Sequence, residues 1–510
     1  MMSNSNSIPR SPFAPLQTAV APLSDGHRPP LQAPFATVRT TVTTLRVNRR
    51  RFIYSTALAA GALATRLTPA DAAVKLKSAN EKLNIGCIGV AGWRGTQDVA
   101  GLANLDAKGV PQENIVALCD VDETFLNGMA RNLPAAKLYR DYREMLDKEK
   151  TLDAVSVTIP DHQHAPAAMM AMALGRHVYC EKPLTHSVWE ARQVTLAARK
   201  YGVVTQMGNQ GHCGEGNRQL CEMIAAGAIG PVREVHCWTD RPVHVEGGPG
   251  WVQGHERPPG EDPPPSTLDW NLWLGPAPSR RFVAHWPEDK TLDVYCPHVW
   301  RGWWDFGCGA IGDMACHIMD GPFWALNLGA PTTVELVRST KLMPEMAPWA
   351  SVIKFEFAAR GNMPPCSLTW YDGGQKPPKP AELGTDELES NGALLIGDKG
   401  KIIAGTYGEN PHLLPDSLMK DYKRPQQTIP RVLGNPATLP HLDFIRACKG
   451  GGAPCSNFDI SGPFTEMALL GNVALRLGKK IQWDPVNLKC PGTPEADPIL
   501  HPTFRDGWKV

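Results

Sequence analysis

Five short apolar runs recur between residues 83 and 208, each parted from the next by a stretch with helical periodicity. Leu83–Ile88, Asn114–Cys119, Asp153–Ile159, Arg176–Tyr179 and Val203–Gly208 read as buried strands. Strands joined through helices run parallel, because the helix carries the chain back to the starting edge. The pattern therefore predicts an α/β fold with a doubly wound parallel sheet over residues 80–205.

Sheets of this kind bind ligands outside the carboxyl ends of their strands. The first run leads into Gly89-Val90-Ala91-Gly92-Trp93-Arg94-Gly95. Glycines at such a turn let the backbone approach a pyrophosphate, and the helix that follows favours its charge. The spacing departs from G-x-G-x-x-G: Ala91 replaces the second glycine, Gly92 and Gly95 fall one place late, and Trp93 reads as an insertion. Gly89, Val90, Ala91, Gly92, Trp93 and Arg94 are the candidate cofactor-binding residues of this turn. The second strand ends at Asp120, near the place where an acid holds a ribose 2′-hydroxyl and disfavours a 2′-phosphate. That favours NAD, with NADP possible. A cap for the helix starting near Glu123 is the competing role for Asp120. The third strand ends in Pro160-Asp161-His162-Gln163-His164, and Thr158, Pro160 and His164 join the cofactor set.

The fourth strand ends in Cys180-Glu181-Lys182-Pro183-Leu184. The proline biases Lys182 toward extended backbone. Burial among cations would lower the lysine's pKa toward the range of proton transfer. A solvated Glu–Lys pair in a loop is the plain alternative. Gln210, just after the last strand, completes the cofactor candidates together with Glu181 and Lys182.

Residues 206–485 change character. Pro231–Trp238, Ser351–Phe357 and Cys366–Trp370 alternate like sheet strands, and Ala393–Ala404 reads as a hairpin turning at Asp398-Lys399. Helical patterns at Leu439–Lys449 and Pro463–Leu477 follow, the second apolar on nearly all sides and so buried. Residues 241–265 form a Pro/Gly-rich loop, read as a lid or interface arm, and 486–510 form a Pro-rich tail, read as an arm. Eight of the 15 tryptophans fall between Trp251 and Trp324. Aromatic faces suit sugar rings but also fill cores. Most are read as structural, with Trp300, Arg301 and His212 as substrate candidates. A helix beginning near Gly312 would put Asp313 and His317 on one face, with Asp320 continuing it. A carboxylate beside an imidazole favours the charged ring and fixes its orientation, as abstraction of a hydroxyl proton requires. A helix cap, a core histidine and a metal site are the alternatives for this set.

The glycine turn, Asp120, the strand end Thr158–His164 and Cys180–Leu184, in this order, resemble the Gfo/Idh/MocA oxidoreductase family over roughly residues 82–485. The resemblance implies an N-terminal Rossmann domain joined to a C-terminal α/β domain with a large, mostly antiparallel sheet. It implies Lys182 as the active-site lysine, with Glu181 and Pro183 shaping a nicotinamide pocket. The family's paired Asp and His fall on Asp313 and His317, which makes these two with Lys182 the catalytic candidates. The expected function is hydride transfer between a sugar or sugar-derivative hydroxyl and a tightly bound nicotinamide, in a homo-oligomer (dimer or tetramer) that needs no metal. One rival is a glycosidase acting by transient oxidation and elimination; its histidine- and glycine-rich motif is replaced here by Gly312–Asp320. The other is a non-catalytic cofactor- or sugar-binding protein.

Residues 1–47 are rich in Ser, Thr and Pro and are expected to be disordered. Arg49-Arg50-Arg51-Phe52, the apolar stretch Ile53–Ala64 and small residues at Pro69–Ala73 resemble a twin-arginine signal peptide ending at residue 73. An amphipathic helix opening the domain is the alternative, and a true start near Val47 would shorten the leader. Export through the twin-arginine machinery, with the cofactor loaded in the cytoplasm, and a periplasmic location are the expectations. A net charge of +1 gives no footprint for nucleic acid or an acidic membrane, and no membrane span is expected in the mature chain. The 13 cysteines show no metal-site spacing and, being odd in number, suggest no disulfide framework.

Overall fold

Apolar runs with helical connections become the first layer of a computed structural model that describes residues 76–243 and 250–510. The arginine-rich leader and its cleavage region lie outside the described residues. β1 (Asn84–Ile88) precedes α1 (Gly92–Ala103), and β2 (Asn114–Cys119) precedes α2 (Glu123–Ala130). β3 (Lys137–Tyr139), α3 (Tyr142–Lys148), β4 (Ala154–Val157), α4 (His164–Ala173), β5 (His177–Cys180), α5 (Val188–Tyr201) and β6 (Thr205–Met207) complete the half. The six strands pair in parallel in the order β3-β2-β1-β4-β5-β6. β3 escapes the sequence reading because it is an edge strand whose Lys137 and Leu138 are exposed, so it leaves no buried run. A capping box starts α5: Glu190 N–H donates to Ser187 Oγ (3.3 Å) and Ser187 N–H to Glu190 Oε2 (2.8 Å). That fixes the chain only a few residues beyond Lys182.

The second half opens with α6 (Gln210–Cys213), α7 (Glu215–Ala225) and β7 (Val232–Trp238), followed by α8 (Trp270–Leu274), α9 (Gly309–Ile318) and α10 (Asp320–Ala325). Strands β8 (Thr333–Ser339), β9 (Ser351–Phe357), β10 (Cys366–Tyr371), β11 (Gly392–Gly397), β12 (Gly400–Ala404) and β13 (His412–Leu414) precede α11 (Leu439–Cys448), α12 (Phe458–Leu477) and β14 (Ile481–Gln482). The eight-stranded order is β13-β12-β11-β7-β10-β9-β8-β14. Only β7 and β10 pair in parallel; the other neighbours are antiparallel. The expected hairpin is present as β11–β12, with Gly397 opposite Gly400.

Two expectations are corrected. The helix read from Pro463 begins at Phe458, where Asn457 Oδ1 accepts from Asp459 N–H (3.0 Å). Proline suggests a helix start because its missing donor is tolerated there, yet here Pro463 lies inside the helix. The Pro-rich tail is not an arm. Its Ala496 and Leu500 are buried, Arg505 Nε donates to Gly275 O (3.0 Å), and Trp508 lies under the Arg143 guanidinium at 4.4 Å.

Every α12 residue from Phe464 to Leu475 is buried. The helix sits on α5 at Gly462, where an added Cβ would come within 1.9 Å of Thr195 Oγ1. No helix among the described residues is long and apolar enough to cross a membrane. α11 returns to the first half: His441 stacks on Tyr179 (ring centroids 4.7 Å apart), and its Nε2 lies 2.9 Å from Asp98 Oδ1. Gly101 of α1 leaves room for that ring, since a Cβ there would stand 2.6 Å from His441 Nδ1. Gly101→Ala should therefore destabilise the protein by about 1–3 kcal/mol through overpacking. Thermal unfolding reads this as a lowered Tm, and an unchanged Tm would show that α11 does not dock so closely.

Candidate active site

The first strand ends in a turn that brings backbone, not side chains, to the sheet's edge. Gly89 (φ 84°) lies so close to Thr158 that a Cβ would meet its carbonyl oxygen at 2.1 Å. Gly92 (φ 64°) faces open space, with nothing within 4 Å of an added Cβ. Helix α1 has no side-chain cap at Ala91 and no acid in its first turn, so its N-terminal N–H groups can receive an anion. A dinucleotide fits this cradle.

Asp120 sits beside the turn, 8% exposed. Its Oδ2 accepts from Val90 N–H (2.9 Å) and Ala91 N–H (3.1 Å), and its Oδ1 from Asp122 N–H (3.1 Å). Burial pushes its carboxyl up to about 6, against the pull of those N–H groups. It does not cap α2; Asp122 does, accepting from Thr124 N–H at 2.8 Å. Trp93 is 69% exposed, with the Arg94 guanidinium 4.6 Å over its ring. Arg94 lies 3.8 Å from Glu181 and 3.9 Å from Asp98, and with its amide turned to match, Gln210 accepts from Arg94 Nη1 at 2.8 Å. Glu181 is buried, and its carboxyl is raised by burial while Arg94 works to lower it.

Lys182 crosses between the halves. Its Nζ donates to Asp313 Oδ1 (2.7 Å) and to the Asp313 carbonyl (3.1 Å), across 131 positions of chain. Arg301 Nε donates to the same Oδ1 at 3.2 Å. Burial would raise the Asp313 carboxyl, but Lys182 and Arg301 outweigh it and hold the acid well below the usual range. His317 lies one turn further along α9, buried, with its Nδ1 unpartnered and its ring edge-on to Tyr407 at 4.8 Å. Burial first, and then Lys182, keep its imidazole neutral, against the opposing pull of Asp313. The expected charged ring is thus corrected: Asp313 is spent on two cations. A buried ring nitrogen without a partner needs one from elsewhere, and a ligand hydroxyl could supply it.

Several candidates take other places. α9 starts at Gly309 rather than near Gly312, with Gly309 at φ 62°. Asp320 does not continue the Asp313 face, because the helix breaks at Met319 and α10 begins. Asp320 Oδ1 instead lies 2.8 Å from His212 Nδ1, and His212, 1% exposed, stacks on Trp324 at 4.5 Å. Burial disfavours charge on His212, yet Asp320 raises it to about 9. His212 is therefore half of a buried ion pair through Nδ1, with its Nε2 unpartnered. Trp300 is buried, donates from Nε1 to Pro297 O (3.1 Å) and lies under Arg301 (4.5 Å); it supports the guanidinium. His164 has both ring nitrogens 2.7 Å from carbonyls, those of Pro183 and Ile159, so it braces the lysine segment. Thr158 Oγ1 donates to Asp98 Oδ2 (2.9 Å), and Pro160 is half-buried beside it.

One member was missed. Asp161, 4% exposed, accepts from Cys308 N–H at 3.0 Å. Burial pushes its carboxyl up to about 7, with Arg301 and Lys182 pulling it down. An acid directly after Pro160 at a strand's carboxyl end was the available signal.

Residues 83–209 match the family model described as "Oxidoreductase family, NAD-binding Rossmann fold", and residues 250–358 match the same family's C-terminal α/β domain. Fold and site together define a two-domain, dinucleotide-binding oxidoreductase architecture. The chain belongs to the Gfo/Idh/MocA family. D-glucoside 3-dehydrogenase from Escherichia coli is 32% identical over 137 residues, 27% of this chain and 38% of that protein. Inositol 2-dehydrogenase from Rubrobacter xylanophilus is 28% identical over 303 residues, 56% of this chain and 77% of that one. The chain spans less than half the length of the first curated relatives it matches, 38% and 45%. Among solved structures, the WlbA dehydrogenase from Bordetella pertussis in complex with NADH and UDP-GlcNAcA superposes with a TM-score of 0.52 at 17% identity, covering 79% of this chain and 99% of that one.

Asp161 gives the site a pH signature. An unfolded aspartate titrates near 4, and the folded one at about 7. Between those values the folded state holds a proton that the unfolded chain has lost, so this contribution is full below the first value and is lost as pH rises through the second. Asp161→Asn keeps an acceptor for Cys308 N–H but cannot ionise. Its Tm relative to wild type should rise from pH 4 to pH 8; parallel Tm–pH curves would show that Asp161 titrates normally.

Proposed function

We propose that this protein is an NAD-dependent oxidoreductase that removes a hydride from a carbon bearing a hydroxyl on a sugar or sugar derivative. The observation that carries the reading is the Lys182 ammonium held at 2.7 Å by Asp313, at the strand ends where the glycine turn also lies. The names of the relatives, dehydrogenases of a glucoside and of inositol, support the substrate class.

The uncapped start of α1 would hold the pyrophosphate, with Arg94 alongside and Asp120 bracing the turn through Val90 and Ala91 N–H. A bound nicotinamide supplies the hydride acceptor. Lys182, oriented by Asp313, donates a hydrogen bond to the substrate oxygen and stabilises the negative charge that grows there as the proton leaves. His317, neutral and with an unpartnered ring nitrogen, accepts that proton. Asp313 offers the resulting imidazolium a nearby negative charge. Arg301, stacked on Trp300, keeps the Asp313 carboxylate ionised throughout.

The reading extends to a periplasmic protein exported by the twin-arginine route with its cofactor already loaded. The paired arginines before Phe52 and the apolar Ile53–Ala64 support it. Residues 80–205 are assigned to the cofactor, residues 206–485 to the substrate and to assembly as a homo-oligomer.

The test is to purify the protein, identify any retained nucleotide and follow its absorbance across a panel of sugars, cyclitols and glycosides. Net reduction by a free sugar supports the proposal. Glycoside cleavage without net NADH would instead mark a glycosidase working by transient oxidation. Lys182→Ala should lower turnover by about a hundredfold or more while nucleotide stays bound; near-normal turnover would remove Lys182 from the chemistry.

A further inference from the structure

Cys213 ends α6, immediately after His212, and Cys455 lies in the segment joining α11 to α12. They are 242 positions apart in the chain, yet their sulfurs stand 2.9 Å from one another, closer than two sulfurs in ordinary contact. Cys213 is buried, whereas Cys455 is partly exposed and follows the exposed turn Gly451-Gly452-Ala453. We propose that Cys213 and Cys455 form a reversible disulfide that locks α6 to the C-terminal segment.

The surroundings favour that bond over a metal. Asp443 is the third ligand-type group beside the two thiols, all three lying within 4.8 Å of one another. Both of its oxygens are already engaged: Oδ1 accepts from Arg446 Nη2 (2.7 Å) and Oδ2 from Cys455 N–H (2.7 Å). The Arg218 guanidinium, donating to His212 O and Gly214 O, adds a positive charge beside the thiols. What remains is a pair of sulfurs that need close by only about 0.9 Å to reach a disulfide's length.

The step needs an oxidant, and a low-molecular-weight disulfide such as oxidised glutathione serves. The Cys455 thiolate attacks one of its sulfurs, forming a mixed disulfide and releasing one thiolate. Cys213 then loses its proton and attacks the Cys455 sulfur, expelling the second. Two protein thiols are oxidised and one disulfide is reduced to two thiols. The hydrogen bond from Cys213, followed by the charge of His212, lowers the Cys455 thiol against the effect of burial, while Cys213 is raised, which fits this order of attack. An exported chain would meet such oxidants outside the cytoplasm.

The bond would act on the cofactor side of the fold. α6 carries Gln210, which meets Arg94 beside the glycine turn, while Met207 N–H of β6 donates to Ser456 O (2.9 Å) next to Cys455. Locking these two segments holds the rim of the crevice in place.

The experiment equilibrates the full chain with oxidised glutathione, denatures it, alkylates free thiols and maps peptides by mass spectrometry. A peptide pair joined through Cys213 and Cys455, two alkylatable thiols fewer than in the reduced protein, and a Tm several degrees lower after reduction are expected. Cys455→Ser should show neither the joined pair nor the Tm response, even though it folds. Quantitative alkylation of both cysteines under the oxidised couple would overturn the proposal. So would glutathione retained on Cys455 alone, or one equivalent of metal per chain with both thiols reduced.

Discussion

A single ion pair ties the two halves of this protein at the place where chemistry would occur. Lys182 and Asp313 are 10% and 12% exposed, deep enough that desolvation consumes much of their attraction. Such a pair adds little to stability, and an apolar contact of equal volume would hold the halves at least as well. What it does supply is position. The ammonium is fixed at both the carboxylate and the carbonyl of one residue, so its remaining donor direction is set before any substrate arrives.

The charges around that pair set its neighbours apart in acidity. Arg301 and Lys182 share Asp313, which stays ionised; burial pushes Asp161 to about 7 against the pull of the same two cations. His317 meets burial and a nearby ammonium together, and both favour the neutral ring. A neutral imidazole is the form that can take a proton. Lys182 thus acts on both neighbours, helping to hold Asp313 ionised and His317 neutral.

The parts legible in the sequence were those with a local cause. Strands β1, β2, β4 and β5 announce themselves as apolar runs, and Gly89, Asp120 and Lys182 follow the carboxyl ends of β1, β2 and β5. The four-residue spacing of Asp313 and His317 survives because one helix carries both. What escaped depends on contacts between distant segments. Nothing near His212 announces that Asp320, 108 positions away, will take its ring, and nothing near Asp313 announces Arg301 as a competitor for its carboxylate. Edge strands such as β3 lack a buried face and so lack a pattern. The parallel pairing of β7 with β10 is likewise invisible, since alternation records which face is buried and not which neighbour runs alongside.

The path of the chain explains how the turn after β1 is braced. After building the second sheet the chain returns to the first: α11 places His441 on Tyr179 and Asp98, and α12 runs buried along α5. Asp98 in turn holds Thr158, whose carbonyl sits against Gly89. A residue near the end of the chain is thus connected, through one carboxylate and one hydroxyl, to the turn that would receive a pyrophosphate. Loosening α11 would therefore be felt at the glycine turn before it was felt at Lys182, whose support comes from α9 and from His164.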